Sequence, residues 1–346
     1  MTTSLVTGGS GYFGSLLVSR LITAGHDVRI LDLVPDSDHP DVETLIGDIR
    51  DRSVVDRAVK GVDCIFHNVA QVPLAKNEQL LRSVNIDGTR ILLQSALDHG
   101  VGKVVNTSSS AIFGVPSHNP VLPATSARPM EAYGRAKYEA ERLCFEYVDR
   151  GLDVSVVRPR TILGHGRLGI FGILFDWIAD GADPFVLGRG DNRYQFIHAE
   201  DLAEVCYLAG RSPGSAVFNA GTDRFGTMYE ALDDLCNHAG TGARVRHLPT
   251  RLAATGMRLA AATRLAPFAP YHWMMYSRSM WFDIEHVQTA LGWQPKWSNE
   301  EMFRQSYDWF VAHRTQSKDT TRSSHRRSAK QGALSILKRS TQLLPD

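Results

Sequence analysis

Through the first half of the chain, short apolar runs alternate with segments whose apolar positions recur every three or four residues. Residues 4–7, 28–32, 62–66, 104–107 and 154–157 are short, mostly apolar, β-rich runs that read as strands covered on both faces. Helical patterns fall between them, near 12–24, 51–60, 78–99 and 131–149. Strands alternating with helices predict right-handed crossovers and a doubly wound parallel sheet of the α/β class. After Arg158 the rhythm changes. A helical segment at 169–180, strands at 185–187 and 194–197, and helices near 200–210, 227–239 and 299–313 predict a smaller C-terminal α/β lobe. The expected division is 1–160 for the first domain, with later segments returning to it, 161–313 mainly for the second lobe, and 314–346 for a tail. Within the tail, 314–331 is rich in Ser, Thr, Arg and Lys and reads as a linker. Ala333, Ile336, Leu337 and Leu344 then mark a weak amphipathic helix flanked by Lys330, Lys338 and Arg339.

Composition narrows the class. A chain of 346 residues with 43% hydrophobic content suits a soluble protein with a sizeable core. Cys64, Cys144, Cys206 and Cys236 lie far apart and form no C-x-x-C pair, which points to reduced core thiols and a cytoplasmic setting. The histidines include no H-E-x-x-H and no tight cluster, so no metal is expected. The formal net charge of +1 hides an asymmetry, because the segment from Arg314 onward carries +6 and the body −5. Nothing in that body suggests nucleic-acid binding, while the basic tail is the one segment suited to peripheral membrane contact. No signal peptide precedes the first strand, and the apolar run at 168–178, interrupted by Asp176, is too short to span a bilayer.

Two constellations carry chemistry. Thr7-Gly-Gly-Ser-Gly-Tyr-Phe-Gly14 follows the first strand and opens the first helix. Gly8, Gly11 and Gly14 are spaced for a tight turn, close approach to a pyrophosphate, and close helix–strand packing, with the helix N-terminus facing the phosphates. Asp32 closes the second strand, where a carboxylate accepts hydrogen bonds from ribose hydroxyls and repels a 2′-phosphate. No Lys or Arg follows it directly, so NAD is favoured over NADP. Asp48 and Ile49 stand where they can cover the adenine edge. The second constellation is Tyr133-Gly-Arg-Ala-Lys137, 24 residues after Ser109. A tyrosine and a lysine at i and i+4 share a helix face, where the cation can bring the phenol into service as an acid or base.

Taken in order with His67-Asn-Val-Ala70, Asn85-x-x-Gly88-Thr89, Thr107-Ser-Ser109 and Arg158-Pro159, these motifs resemble the extended short-chain dehydrogenase/reductases. That group is the NAD-dependent epimerase/dehydratase superfamily, including its 3β-hydroxysteroid dehydrogenase-like branch. Segments 196–201 and 291–295 look like that family's C-terminal lobe, so the resemblance spans about residues 3–312. It implies a Rossmann fold, a homodimer, and NAD held by Gly8, Gly11, Tyr12, Phe13, Gly14, Asp32, Asp48, Ile49, Ala70, Asn85, Tyr133, Lys137 and Pro159. It further implies Tyr133 as general acid/base, Lys137 as holder of the nicotinamide ribose, and Ser109 as hydrogen-bond partner of the reacting oxygen.

Departures from the family pattern bear on the substrate. Sugar-nucleotide dehydratases place an Asp-Glu pair after the serine position; Ser110 and Ala111 stand here, so elimination of water is not expected. Thr161 replaces the asparagine of many nucleotide-sugar members, and Gly164-His165-Gly166 looks more like the hydroxysteroid branch. Arg278 can match the arginine that binds the diphosphate. Gln71, Val72 and Pro73 sit in the loop that faces the substrate in the family, and Ser110 and Thr161 complete the candidate substrate contacts. Residues 168–177, 271–276 and 280–282 carry many large apolar side chains, read as core, dimer interface, or a groove for a lipid-like substrate. The leading expectation is an epimerase of a nucleotide- or lipid-linked sugar. The alternatives are an alcohol or hydroxysteroid dehydrogenase on an apolar substrate and, last, an NAD-binding regulator without catalysis.

Overall fold

The computed structural model describes residues 2–71, 77–249, 255 and 276–314. In chain order the elements are β1 (Thr3–Thr7), α1 (Tyr12–Thr23), β2 (Asp27–Asp32), β3 (Glu43–Ile46), α2 (Arg52–Val59), β4 (Cys64–His67), α3 (Glu78–Arg82), α4 (Thr89–Asp98), β5 (Lys103–Thr107), α5 (Ala132–Val148) and β6 (Val154–Pro159). There follow β7 (Thr161–Leu163), α6 (Phe171–Ala179), β8 (Phe185–Leu187), β9 (Phe196–His198), α7 (Ala199–Arg211), β10 (Val217–Ala220), α8 (Met228–Ala239), β11 (Arg246–Leu248), α9 (Glu285–Leu291) and α10 (Asn299–Ala312). A wide π-turn at Ser83–Gly88 joins α3 to α4, and a 3₁₀ turn occupies Ser110–Phe113.

Seven strands form a parallel sheet in the order β10-β6-β5-β4-β1-β2-β3. The strand order reverses between β1 and β4, the place where open α/β sheets bind ligands at their carboxyl ends. Two cores cover the faces. One gathers Leu17, Val18 and Leu21 of α1 with Val205, Cys206 and Ala209 of α7. The other gathers Val55 and Val59 of α2, Leu92 and Leu93 of α4, and Leu143 and Cys144 of α5. All four cysteines are buried and free.

The five expected strands of this sheet are present, and β3 and β10 join them at its two edges. Edge position explains why their sequences were harder to read. β3 is only partly covered, and β10 spends one of its four positions on Asn219, whose amide donates to the carbonyl of Val121 at 3.1 Å.

A third core contains Leu168, Phe171, Phe175, Ile178, Tyr194, Phe196, Phe303 and Phe310. It absorbs most of the apolar run at 168–178, whose Ile173 and Trp177 pack with Ala182 instead, while Met280 and Phe282 are buried in the α1/α7 core. Those segments therefore serve packing. Residues 271–275, Val72, Pro73 and the tail from 315 onward lie outside the described residues. Among the described residues, no helix is long and apolar enough to cross a membrane.

Candidate active site

Gly8 sits at φ +72°, a backbone conformation that favours glycine, and a Cβ there would stand 3.1 Å from the Val69 nitrogen. At Gly14 a Cβ would stand 2.0 Å from the Gly8 carbonyl oxygen, so α1 can approach the turn this closely only without a side chain. Gly11 caps α1 with no side-chain acceptor, which leaves the first amides of the helix available to a phosphate. The cradle is the shape that a pyrophosphate requires and that a larger residue would fill.

The Asp32 carboxylate accepts from the Ser10 N–H at 3.1 Å and the Leu33 N–H at 2.7 Å, and burial pushes its pKa up against those bonds. Asp36, on the loop that follows, adds negative charge near it. A 2′-phosphate would meet the Asp32 carboxylate, with the buried Asp36 adding to the repulsion, which supports NAD over NADP. Asp48 is engaged by Arg50 at 2.6 Å, and that partner holds its carboxyl below the usual range. Ile49 is buried, and a Cβ on Gly88 would meet its side chain at 2.7 Å. Its side chain thus belongs to the core.

The loop after β4 is tied from beneath. Asn85, in the π-turn, accepts from the Gln71 N–H at 2.7 Å and donates to the Gln71 carbonyl at 3.1 Å. The Asn85 carbonyl accepts from the Thr89 hydroxyl, which meets His67 Nε2 at 2.9 Å, and His67 Nδ1 meets the Thr7 hydroxyl at 2.7 Å. Burial, with Lys137 nearby, pushes His67 down to about 3, so this ring is a neutral strut. Asn85 therefore fixes the loop bearing Ala70 and Gln71.

Tyr133 and Lys137 lie on α5, which Glu131 caps by accepting from the Tyr133 and Gly134 amides at 2.8 and 2.6 Å. Gly134 has a clear reason: a Cβ there would stand 2.5 Å from the Ala111 carbonyl oxygen, in the turn that Ser109 opens. The contact brings the Tyr133 end of α5 against the Ser109 segment. The Ser109 hydroxyl accepts from the Ala111 N–H at 3.2 Å. Lys137 Nζ donates to the Thr107 carbonyl at 2.8 Å, and burial pushes the amine down to about 8. Pro159 closes β6 and is buried; Ser110 is buried; the Thr161 hydroxyl meets the Tyr194 hydroxyl at 3.0 Å. Arg278 is exposed.

A family model described as the NAD dependent epimerase/dehydratase family matches residues 4–221. The chain belongs to that family. It is thus an NAD-dependent enzyme of the epimerase/dehydratase family, and the glycine cradle and Asp32 are the features that fit the cofactor. An uncharacterized protein of Sinorhizobium fredii, y4nG, is 47% identical over 345 residues, 99% of this chain and 87% of that protein. The 3 beta-hydroxysteroid dehydrogenase/Delta 5-->4-isomerase of Mycobacterium tuberculosis is 30% identical, covering 92% of this chain and 93% of that one. Among solved structures, the UDP-glucose 4-epimerase of Thermotoga maritima with UDP-glucose superposes with a TM-score of 0.76 at 24% identity, over 90% of this chain and 99% of that one.

Sequence reading missed the support beneath the epimerase-family site. Glu141, one turn beyond Lys137, is fully buried and pairs with Arg158 of β6 at 2.7 Å. It also accepts from the Ser108 hydroxyl, and Arg158 donates to the Pro123 carbonyl at 2.8 Å. This buried pair ties α5 to β6 and to the segment before Ser109. The available signal was the i, i+4, i+8 spacing of Tyr133, Lys137 and Glu141 on one helix face.

Proposed function

We propose that the protein is an NAD-dependent sugar epimerase acting on a sugar conjugate. NAD, when bound, supplies the acceptor and donor of hydride. Tyr133 takes the proton of the reacting hydroxyl and later returns one to the ketone. Lys137, cationic at neutral pH and pinned by the Thr107 carbonyl, favours the phenolate form of Tyr133 and holds a ribose hydroxyl. Ser109 orients the reacting oxygen. With Ser110 and Ala111 after it, no carboxylate follows Ser109 to remove water.

The observation that carries the sugar reading is the fate of the apolar segments. The runs at 168–178 and 280–282 are taken up by packing, which withdraws two of the three apolar segments from a lipid-like groove. A putative UDP-glucose 4-epimerase of Methanocaldococcus jannaschii, 28% identical over 255 residues, supports the same reading. The test is NMR of candidate nucleotide sugars with the purified protein. Epimerised product with no net change at the NADH absorbance band is expected; stoichiometric NADH formation would overturn it.

A second reading, an alcohol dehydrogenase with net NAD turnover, is favoured by the near full-length match to the Mycobacterium tuberculosis 3 beta-hydroxysteroid dehydrogenase/Delta 5-->4-isomerase. NADH accumulation with a hydroxysteroid would establish it.

A further inference from the structure

Two arginines follow Pro159 closely, and their surroundings differ. Arg160 is 1% exposed, but ring faces of Tyr194 and Phe282 lie 4.7 and 5.6 Å from its guanidinium and Met280 Sδ lies 3.2 Å from Nη1. Aromatic faces and a thioether compensate part of a buried cation's lost hydration. Arg167 has less. Its Nε and Nη1 are shut off from solvent with no hydrogen-bond partner among the described residues, and its guanidinium lies 5.7 Å from the centre of the Tyr12 ring. The ionisable groups that weigh on it are the phenols of Tyr12, Tyr133 and Tyr276, and burial holds it below the usual arginine range.

The chain spends two unusual backbone positions to put Arg167 there. Gly164 and Gly166 sit at φ +141° and +77°. A Cβ on Gly164 would stand 2.9 Å from the Tyr12 hydroxyl oxygen and 3.1 Å from His198 Nε2. The loop at 164–167 is therefore laid directly on Tyr12, the first residue of the helix that opens behind the glycine cradle. Two guanidinium nitrogens buried without a partner are costly, and the planar fork matches a carboxylate or phosphate.

We propose that Arg167 binds an oxyanion, a phosphate or carboxylate of the bound ligand, beside Tyr12 at the start of α1. That anion has two possible sources. One is the cofactor's pyrophosphate at the start of α1; the other is an anionic group of the substrate beside Tyr133. The inference rests on Tyr133 facing the reacting group, as in the proposed function.

The test uses the full chain and the variants Arg167→Met and Arg167→Lys. Each is titrated by calorimetry with NAD. The NAD-loaded protein is then titrated with sodium pyrophosphate and with sodium acetate, at constant ionic strength set by chloride. Arg167→Met should melt no lower than wild type without ligand, because it removes two buried N–H donors that have no partner. It should also lose roughly 10- to 100-fold in affinity in one titration. Loss with NAD assigns the cofactor pyrophosphate; loss only in the second titration assigns a substrate anion. If Arg167→Met does not fold, Arg167→Lys, which keeps the charge and loses the fork, should show about tenfold weakening in the same titration. Wild-type affinities throughout, or a lowered melting temperature with unchanged titrations, would reduce Arg167 to a structural residue. Tyr133→Phe separates the two ideas, since it should cut turnover by about 10²- to 10⁴-fold and leave anion binding intact.

Discussion

Lys137 carries its charge where charge is expensive. Its folded pKa of about 8 lies below the ordinary 10.5 because burial disfavours the ammonium. Between those values the unfolded chain holds a proton that the folded chain has released, so this residue's contribution to stability rises with pH across that window. Lys137→Met lacks the dependence. We therefore expect Lys137→Met to be the more stable apo-protein at pH 7, with the gap to wild type narrowing from pH 8 to about 10.5 in paired denaturant titrations. A constant gap would mean that Lys137 is not titrating early. His67 works in the opposite range. Its folded pKa of about 3 against 6.5 means that the unfolded chain binds a proton first as the solution is acidified. Stability from this residue is lost as pH falls from 6.5 towards 3, and His67→Gln should flatten that part of the acid limb. For Tyr133, replacement by Phe should cost about 10²- to 10⁴-fold in kcat while calorimetry still finds NAD bound.

At the scale of elements, the site depends on how α5 meets its neighbours. The 2.5 Å between a Cβ on Gly134 and the Ala111 carbonyl oxygen leaves no room for even a methyl group. Gly134→Ala must lift the start of α5 off the 110–113 turn, with a cost of about 1–3 kcal/mol and a Tyr133 displaced from Ser109. Lower kcat with nearly unchanged NAD affinity would be the signature. The Glu141–Arg158 pair holds the same helix further along. Glu141→Leu strands a buried guanidinium and should destabilise by about 3–5 kcal/mol, whereas Glu141→Leu with Arg158→Leu should recover much of that loss. Much of this architecture was legible beforehand. Strands covered on both faces announce themselves as apolar runs, and the glycine turn and the Tyr133/Lys137 spacing are local patterns. Glu141, Arg158 and Arg167 were not legible as a group. What matters at each is the absence or presence of a distant partner, and a distant partner leaves no mark in local spacing. The large side chains at 168–178 left core, interface and groove all open for the same reason, since packing partners such as Phe303 and Phe310 arrive more than a hundred residues later.

Across the whole molecule, α1 is where the two halves meet. Its apolar face packs on α7, and Arg20 near its C-terminus pairs with Glu204 of α7. At its other end the loop carrying Gly164, Gly166 and Arg167 rests on Tyr12. A ligand held at the start of α1 therefore touches elements that belong to both the sheet and the third core. Binding to the folded state alone stabilises it by mass action, by about 2.7 kcal/mol at a hundredfold excess over Kd. For a chain of this size that should raise the melting temperature by roughly 4 °C. Gly14→Val, which fills the cradle, should abolish the shift. The geometry adds where the protection should appear. Hydrogen exchange with and without NAD should slow not only at 8–15 but also across 164–168, because ordering Tyr12 orders the loop that lies on it. Protection confined to β1 and α1 would show that the cofactor is bound by the sheet alone and that the second half of the chain closes only over the substrate.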